Sequence, residues 1–209
     1  MKYSILIAVL FLFSCNNKET ILLPKANVSV VADVQDHSPI YLFFRTKNQD
    51  TLTEVNRKNS IITTNWILNI DKRLPLRVVI PEVIKLQEKK RKEKAHKNEK
   101  AENYYAYADS IAKNMAFFPF TKVYYKMQKP AQDGLVIYFK KNSDSVSIAN
   151  TTLKVNQVVD YIHQKNGVLA PKVVLAFDKN MCFEQYIQHK IAVRALTESK
   201  NVVWSEYVF

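Results

Sequence analysis

Residues able to do acid–base or nucleophilic chemistry are few and scattered in this chain. The four histidines are His37, His96, His163 and His189; none pairs with a second ligand at metal-site spacing, and no HExxH occurs. His96 falls in a lysine-rich run, and His163 and His189 lie on segments of helical periodicity, so all three read as solvated surface residues. Asp36-His37-Ser38 contains the residue types of a hydrolytic triad. A triad, however, is assembled across a fold, and three consecutive residues do not converge on one point. Asp178, beside Lys179, reads as a helix-entry carboxylate. The chain has only 2 glycines, Gly134 and Gly167, against an average of about 7%. That scarcity argues against the loops that bring backbone N–H groups onto phosphate. The expectation is a non-enzymatic protein with no catalytic residue, no cofactor and no metal.

The position with the most distinctive chemistry is Cys15. It follows Lys2 and the apolar run Ile5–Phe13, which is shorter than the roughly 20 residues a spanning helix needs. A short apolar run behind a positive charge reads as the h-region of an export signal. Leu12-Phe13-Ser14-Cys15 resembles the bacterial lipobox, with Phe13 bulkier than is usual there. The resemblance implies a bacterial lipoprotein: residues 1–14 form a signal peptide, and the Cys15 thiol takes a diacylglycerol, with further acylation (palmitate, for example) of the new amine. One acyl chain binds a bilayer only marginally, with K of about 10⁴ M⁻¹, whereas two anchor it stably. Residues 15–26 would then be a tether. The only other cysteine, Cys182, is left without a partner, so no disulfide framework exists; beside Phe183 it reads as a buried thiol.

The formal net charge is +12. In a cytosolic protein that would point to nucleic acid, but export removes such a partner and leaves anionic headgroups or cell-wall polymer. The charge concentrates between Lys85 and Lys100, with 8 Lys or Arg against 3 Glu. Glu88 with Lys92 and Glu93 with Lys97 stand in the favourable i,i+4 order. The stretch reads first as a solvated spacer helix. Its alternative is a basic contact surface made of Lys89, Lys90, Arg91, Lys92, Lys94 and Lys97.

The elements that must position these residues suggest an α+β protein of small mixed sheets with helices on one face. Residues 27–80 look β-rich: Pro39–Phe44 and Leu76–Ile80 have strand composition, Asn48-Gln49-Asp50 a turn, and Pro81 ends the second strand. Ile61–Ile70 is ambiguous between strand and helix. Residues 81–116 read as one long Lys-rich helix whose later turns, near Tyr104, Tyr105, Ile111 and Met115, pack. Residues 117–209 form a last domain. It opens on a strand edge over 117–127, and then Leu135–Phe139 and Ser145–Ile148 are strands. Val155, Val158, Val159 and Ile162 make one helix face, with Gly167 after it. Pro171–Phe177 is a central strand; Phe183, Ile187, Ile191 and Ala195 mark a second helix with Asn180 as its N-cap; Val202–Phe209 closes the sheet. The order is β-β-α-β-α-β.

That order, with VVLAFDKNMCFEQYI (Val173–Ile187) at its centre, resembles the periplasmic domain of the ExbD/TolR family, partner proteins of proton-driven envelope motors. Asp178-Lys179 after the apolar strand and Phe183 at the head of the second helix carry the match. The resemblance covers about residues 134–209. It implies a Gram-negative envelope protein, on the outer or inner membrane and facing the periplasm, that binds an envelope protein partner, for which the edges of a small sheet are natural docking sites. The family's transmembrane helix, with its proton-handling carboxylate, has no counterpart here, so the resemblance implies an accessory of a transport or energy-transduction system and not a motor subunit. An internal duplication is also suggested. Ile40–Phe43 and Val136–Phe139 lie 96 residues apart, as do the segments after Pro75 and Pro171.

Overall fold

The computed structural model describes residues 19–93, 98–131, 134–166, 173–196 and 204–209. They form two mixed sheets and three α-helices. In the first half β1 (Lys25–Ala26), β2 (His37–Lys47), β3 (Asp50–Asn56), β4 (Asn65–Ile70), α1 (Leu76–Lys92), β5 (Asn103–Asp109) and β6 (Asn114–Pro119) follow one another. The second half runs β7 (Val123–Lys126), β8 (Leu135–Phe139), β9 (Ser145–Ile148), β10 (Thr151–Lys154), α2 (Val158–Asn166), β11 (Val173–Phe177), α3 (Phe183–Ala192) and β12 (Trp204–Val208). One sheet has the order β1-β5-β4-β2-β3, with β6 also on β5, and the other β10-β9-β8-β11-β12-β7.

The inner faces of both sheets and the apolar sides of all three helices meet in one core. Ile40, Leu68 and Tyr105 from the first sheet join Ile137, Leu175 and Val208 from the second, with Val83, Ile162 and Ile187 from the helices. Strand alternation sends the neighbouring residues outward into two smaller clusters, one around Ile67, Ala106 and Phe117, the other around Val136, Val174 and Ala176. The closing residues Tyr207 and Phe209 pack in the latter with Tyr138.

The two halves share a plan. A hairpin (β2–β3 and β8–β9) pairs in parallel with a later strand (β4 directly, β11 after the insertion of β10 and α2), which leads into a helix (α1 and α3) and then a further parallel strand (β5 and β12). Across one sheet Ile40, Leu68 and Tyr105 align; across the other Ile137, Leu175 and Glu206 do. Ile40 therefore corresponds to Ile137 and not to Val136, one residue off the sequence alignment, a slip that exchanges the two faces of a strand. The second sequence match fails outright. Leu76–Ile80 opens α1, whereas the counterpart of β11 is β4.

The heads of α1 and α3 meet. Pro75 and Cys182 are bridged across the seam. Leu76 N–H donates to Met181 O at 2.9 Å and Phe183 N–H to Leu74 O at 2.8 Å. Arg77 N–H donates to Lys179 O at 2.8 Å and Glu184 N–H to Lys72 O at 3.1 Å. A helix N-terminus leaves backbone donors without intrahelical partners; here the segment leading into each helix accepts from the first two N–H groups of the other. Neither helix has a side-chain cap, and the N-cap of α3 is Cys182, not Asn180.

Other boundaries differ from the sequence reading. Pro81 lies inside α1. The helix ends at Lys92, and Tyr104 and Tyr105 sit in β5 while Met115 sits in β6, so the stretch 81–116 is helix only in part. Residues 117–127 hold the end of β6 and all of β7, and β10 adds a strand before α2. Asn48 and Gln49, both left-handed at φ 48° and 71°, make the two-residue turn of the β2–β3 hairpin. Gly167, Pro171, Val202 and Val203 lie outside the described residues.

Candidate functional site

The residues singled out in the sequence disperse. Cys15, Lys94, His96 and Lys97 lie outside the described residues. Of the remaining basic stripe, only Lys89 and Lys92 are exposed, and Lys92 pairs with Glu88 at 3.2 Å. Lys90 is buried. Its Nζ donates to Thr64 O (2.9 Å), Glu102 O (3.2 Å) and Asn103 Oδ1 (3.0 Å) and lies 4.9 Å from the Trp66 ring centre. Burial, opposed by nearby Glu102, pushes its ammonium down to about 8. Arg91 donates to Thr121 O and Val123 O, both at 3.1 Å, and lies over Tyr124. A basic stripe over 89–92 is thus half structural. Its two central cations tie α1 to the segment before β5 and to the approach to β7. A small cavity of about 130 Å³ beside Lys90 and Arg91 is lined also by Ile62, Asn98 and Asn103, but the three Lys90 protons are already taken.

Asp36, His37 and Ser38 do not converge. His37 Nδ1 meets Val34 O at 2.7 Å, whereas Ser38 Oγ turns inward to Thr64 Oγ1 at 2.7 Å and accepts from Ile61 N–H at 3.1 Å. His163 is exposed as expected, but His189 is not: it is 6% exposed, close to Phe139, and its Nε2 has no partner. Burial pushes its imidazole down to about 4, against the opposing pull of Asp144 and the Ser143 backbone. Asp178 accepts from Asn180 N–H at 2.8 Å within its own turn. Cys182 is half-buried rather than buried.

A polar chain that the sequence reading missed crosses the core. Lys190 on α3 pairs with Glu206 on β12, with side chains 2% and 0% exposed. Tyr186 donates to the other Glu206 oxygen at 2.8 Å; its hydroxyl meets that of Tyr125 at 3.2 Å, which meets that of Tyr105 at 2.7 Å. Burial first, and neighbouring tyrosines and Glu206 next, push all three phenols well above their ordinary values. The chain stitches β5, β7, α3 and β12 together, and its groups face one another inside the core. Only the closeness of Tyr186 and Lys190 on one helix stripe signalled it.

The N-terminal segment is laid onto the fold from Glu19 onward. Glu19 pairs with Arg45, which also holds Glu54 at 2.8 Å. Leu22 N–H donates to Asp71 Oδ2 at 3.3 Å, and Leu22 O accepts from Lys72 N–H at 2.7 Å. Burial works to raise the Asp71 carboxyl, but the Arg73 side chain and the N–H groups of Arg73 and Leu22 hold it below its ordinary value. Pro24 O and Ala26 O accept from Ala108 and Ser110 N–H, both at 2.8 Å. Residues 19–26, expected as tether, are therefore part of the domain.

Among the described residues no group of three His, Cys, Asp or Glu could hold a metal ion, and no helix is long and apolar enough to cross a membrane. No family model, curated protein or solved structure matches this chain.

Proposed function

We propose that the protein is a lipid-anchored, non-enzymatic component of a Gram-negative cell envelope. Its folded part binds a protein partner and serves as an accessory of an envelope transport or energy-transduction system. One observation carries the binding part of this reading: among the described residues β3, seven residues long, ends its sheet as an open edge. Alternation in the β2–β3 ladder turns the N–H groups of Thr51, Thr53 and Val55 away from β2, the pattern that strand addition uses. The order of β8, β9, α2, β11, α3 and β12, with β10 inserted after β9, is compatible with the ExbD/TolR resemblance, and the lipobox-like run ending at Cys15 supports the anchor. The internal use of Lys90, Arg91, His189, Lys190 and Glu206 in packing supports binding over catalysis. The alternative, contact with envelope polymer or anionic lipid through the basic helix, keeps Lys89 and Lys92 but loses Lys90 and Arg91 to internal bonds.

The test is a photo-crosslinking residue at Thr53 in the full, membrane-anchored protein, with His163 as the control position, read by mass spectrometry. One reproducible envelope protein crosslinked from position 53, absent from position 163 and lost when Thr51→Pro is added, is the expected result. Proline at an edge position removes an outward N–H without breaking the ladder. A lipidated bait with no reproducible crosslink shifts the assignment to the polymer- or lipid-binding alternative; an unmodified Cys15 peptide removes the anchor.

A further inference from the structure

We infer that the outer face of the β2–β3 hairpin, around Leu52, Arg45 and Lys47, rests on the phospholipid surface that carries the anchor. The inference depends on the lipoprotein reading and deepens it. The argument starts from chain length. Glu19 pairs with Arg45, and the backbone from Leu22 to Ala26 is bonded to Asp71, Lys72, Ala108 and Ser110. Only four residue steps separate Cys15 from Glu19. A fully extended chain covers at most about 3.6 Å per step, so the lipidated cysteine lies within about 14 Å of Glu19 whatever path it takes. A long flexible tether would let the domain tumble beneath the membrane. Three intervening residues hold one particular face against it.

That face is the one bearing Arg45. Arg45 stands opposite Leu52 across the ladder, and Phe43 opposite Glu54. Residues alternate along a strand, so Tyr41, Phe43, Arg45 and Lys47 share a side with Asp50, Leu52, Glu54 and Asn56. Arg45 lies 5.3 Å from the Phe43 ring centre and Tyr41 stacks on Phe43, a rigid aromatic floor. Leu52 is 43% exposed on top of it. Glu19 and Glu54 both pair with Arg45, while Lys47 extends toward the turn. An exposed leucine on an aromatic base suits the headgroup–acyl boundary, which apolar side chains enter; with Arg45 paired to Glu19 and Glu54, Lys47, opposite Asp50, is the remaining cation there to meet phosphate. The edge of β3 remains open sideways, along the membrane plane.

The experiment uses the full lipidated protein in Cys182→Ser form, reconstituted into phosphatidylethanolamine/phosphatidylglycerol vesicles that carry a headgroup nitroxide lipid. An environment-sensitive thiol fluorophore is placed at Leu52→Cys or, as the control on the other half, at Tyr124→Cys. Both wild-type side chains are exposed to a similar degree. Quenching several-fold stronger at position 52 than at 124 is expected. It should fall to the level at 124 when a flexible Gly/Ser linker of about 20 residues is inserted between Lys18 and Glu19, with the protein still floating with the vesicles. Equal quenching at the two positions, or quenching unmoved by the linker, overturns the orientation while leaving the anchor intact. A protein that does not float and whose Cys15 peptide is unmodified overturns the anchor reading and this inference with it.

Discussion

A neutral imidazole is held in the core at His189. Its ordinary value is 6.5, and burial lowers it to about 4. Well above pH 6.5 the residue is neutral folded and unfolded, and its protonation takes nothing from native stability. As pH falls from 6.5 toward 4, the unfolded chain takes up a proton that the folded chain refuses, and stability drains away by up to about 3 kcal/mol. We predict that the urea midpoint of the wild-type protein falls over that window, and that His189→Leu, of similar volume and with no nitrogen to leave unbonded, flattens the loss. An unchanged slope in the variant would show that other groups govern acid sensitivity. In the sequence the residue was misread because a histidine midway between Ile187 and Ile191, off the stripe of Phe183, Ile187 and Ile191, looks peripheral. The core of this protein wraps α3 on more than one side, so Tyr186, His189 and Lys190 are all buried with the stripe. Burial of this kind depends on what packs against a helix, which periodicity does not report.

At the level of elements, the β2–β3 turn places Gln49 at φ 71°. A left-handed non-glycine residue carries a penalty of about 1 kcal/mol, and Asn-Gly is the favoured pair for such a turn. Gln49→Gly should therefore stabilise the protein by about 1 kcal/mol, raising the melting temperature by about 2–4 °C; a lower melting temperature would show that the Gln49 side chain contributes more than its backbone costs. The turn itself was legible, because Asn48 and Asp50 are turn formers between two β-like runs. The stripe over Val155–Ile162 and the continuous apolar run Val173–Phe177 were legible for similar reasons. The stretch Leu76–Ile80 was not. A β-branched run reads as strand, yet here it is the head of a helix whose Leu76, Val79 and Ile80 are all fully buried. Residues 103–109 failed in the opposite sense. Alanine and glutamate nearby suggested a helix, whereas pairing with β4, β6 and β1 imposes an extended chain with Tyr105 and Tyr107 inward. In both places tertiary pairing overrides local propensity. The polar chain from Lys190 to Tyr105 was illegible for a related reason, since its members come from four elements far apart in sequence.

For the molecule as a whole, the decisive feature is that one core serves both halves. Neither sheet covers its inner face without the other and the helices between them. Unfolding should accordingly be a single transition, with calorimetric and van't Hoff enthalpies in agreement; two resolved transitions would show that the halves are separately stable. The shared plan of the halves was half visible in the sequence. Its true register hides in Ile70-Asp71-Lys72 and Phe177-Asp178-Lys179, which lead into the two helix heads, and loops of different length on either side obscure the match.

The reciprocal joint between those helix heads has a consequence beyond cohesion. A two-fold joint treats its two sides alike, so it does not distinguish a partner half on the same chain from one on a neighbour. Only residues 120–122 connect β6 to β7. Two chains opened at that connection could exchange halves and rebuild every bond of the joint between them. On the proposed membrane anchor copies would meet at high local density, and a short connection between the halves favours such an exchange rather than preventing it.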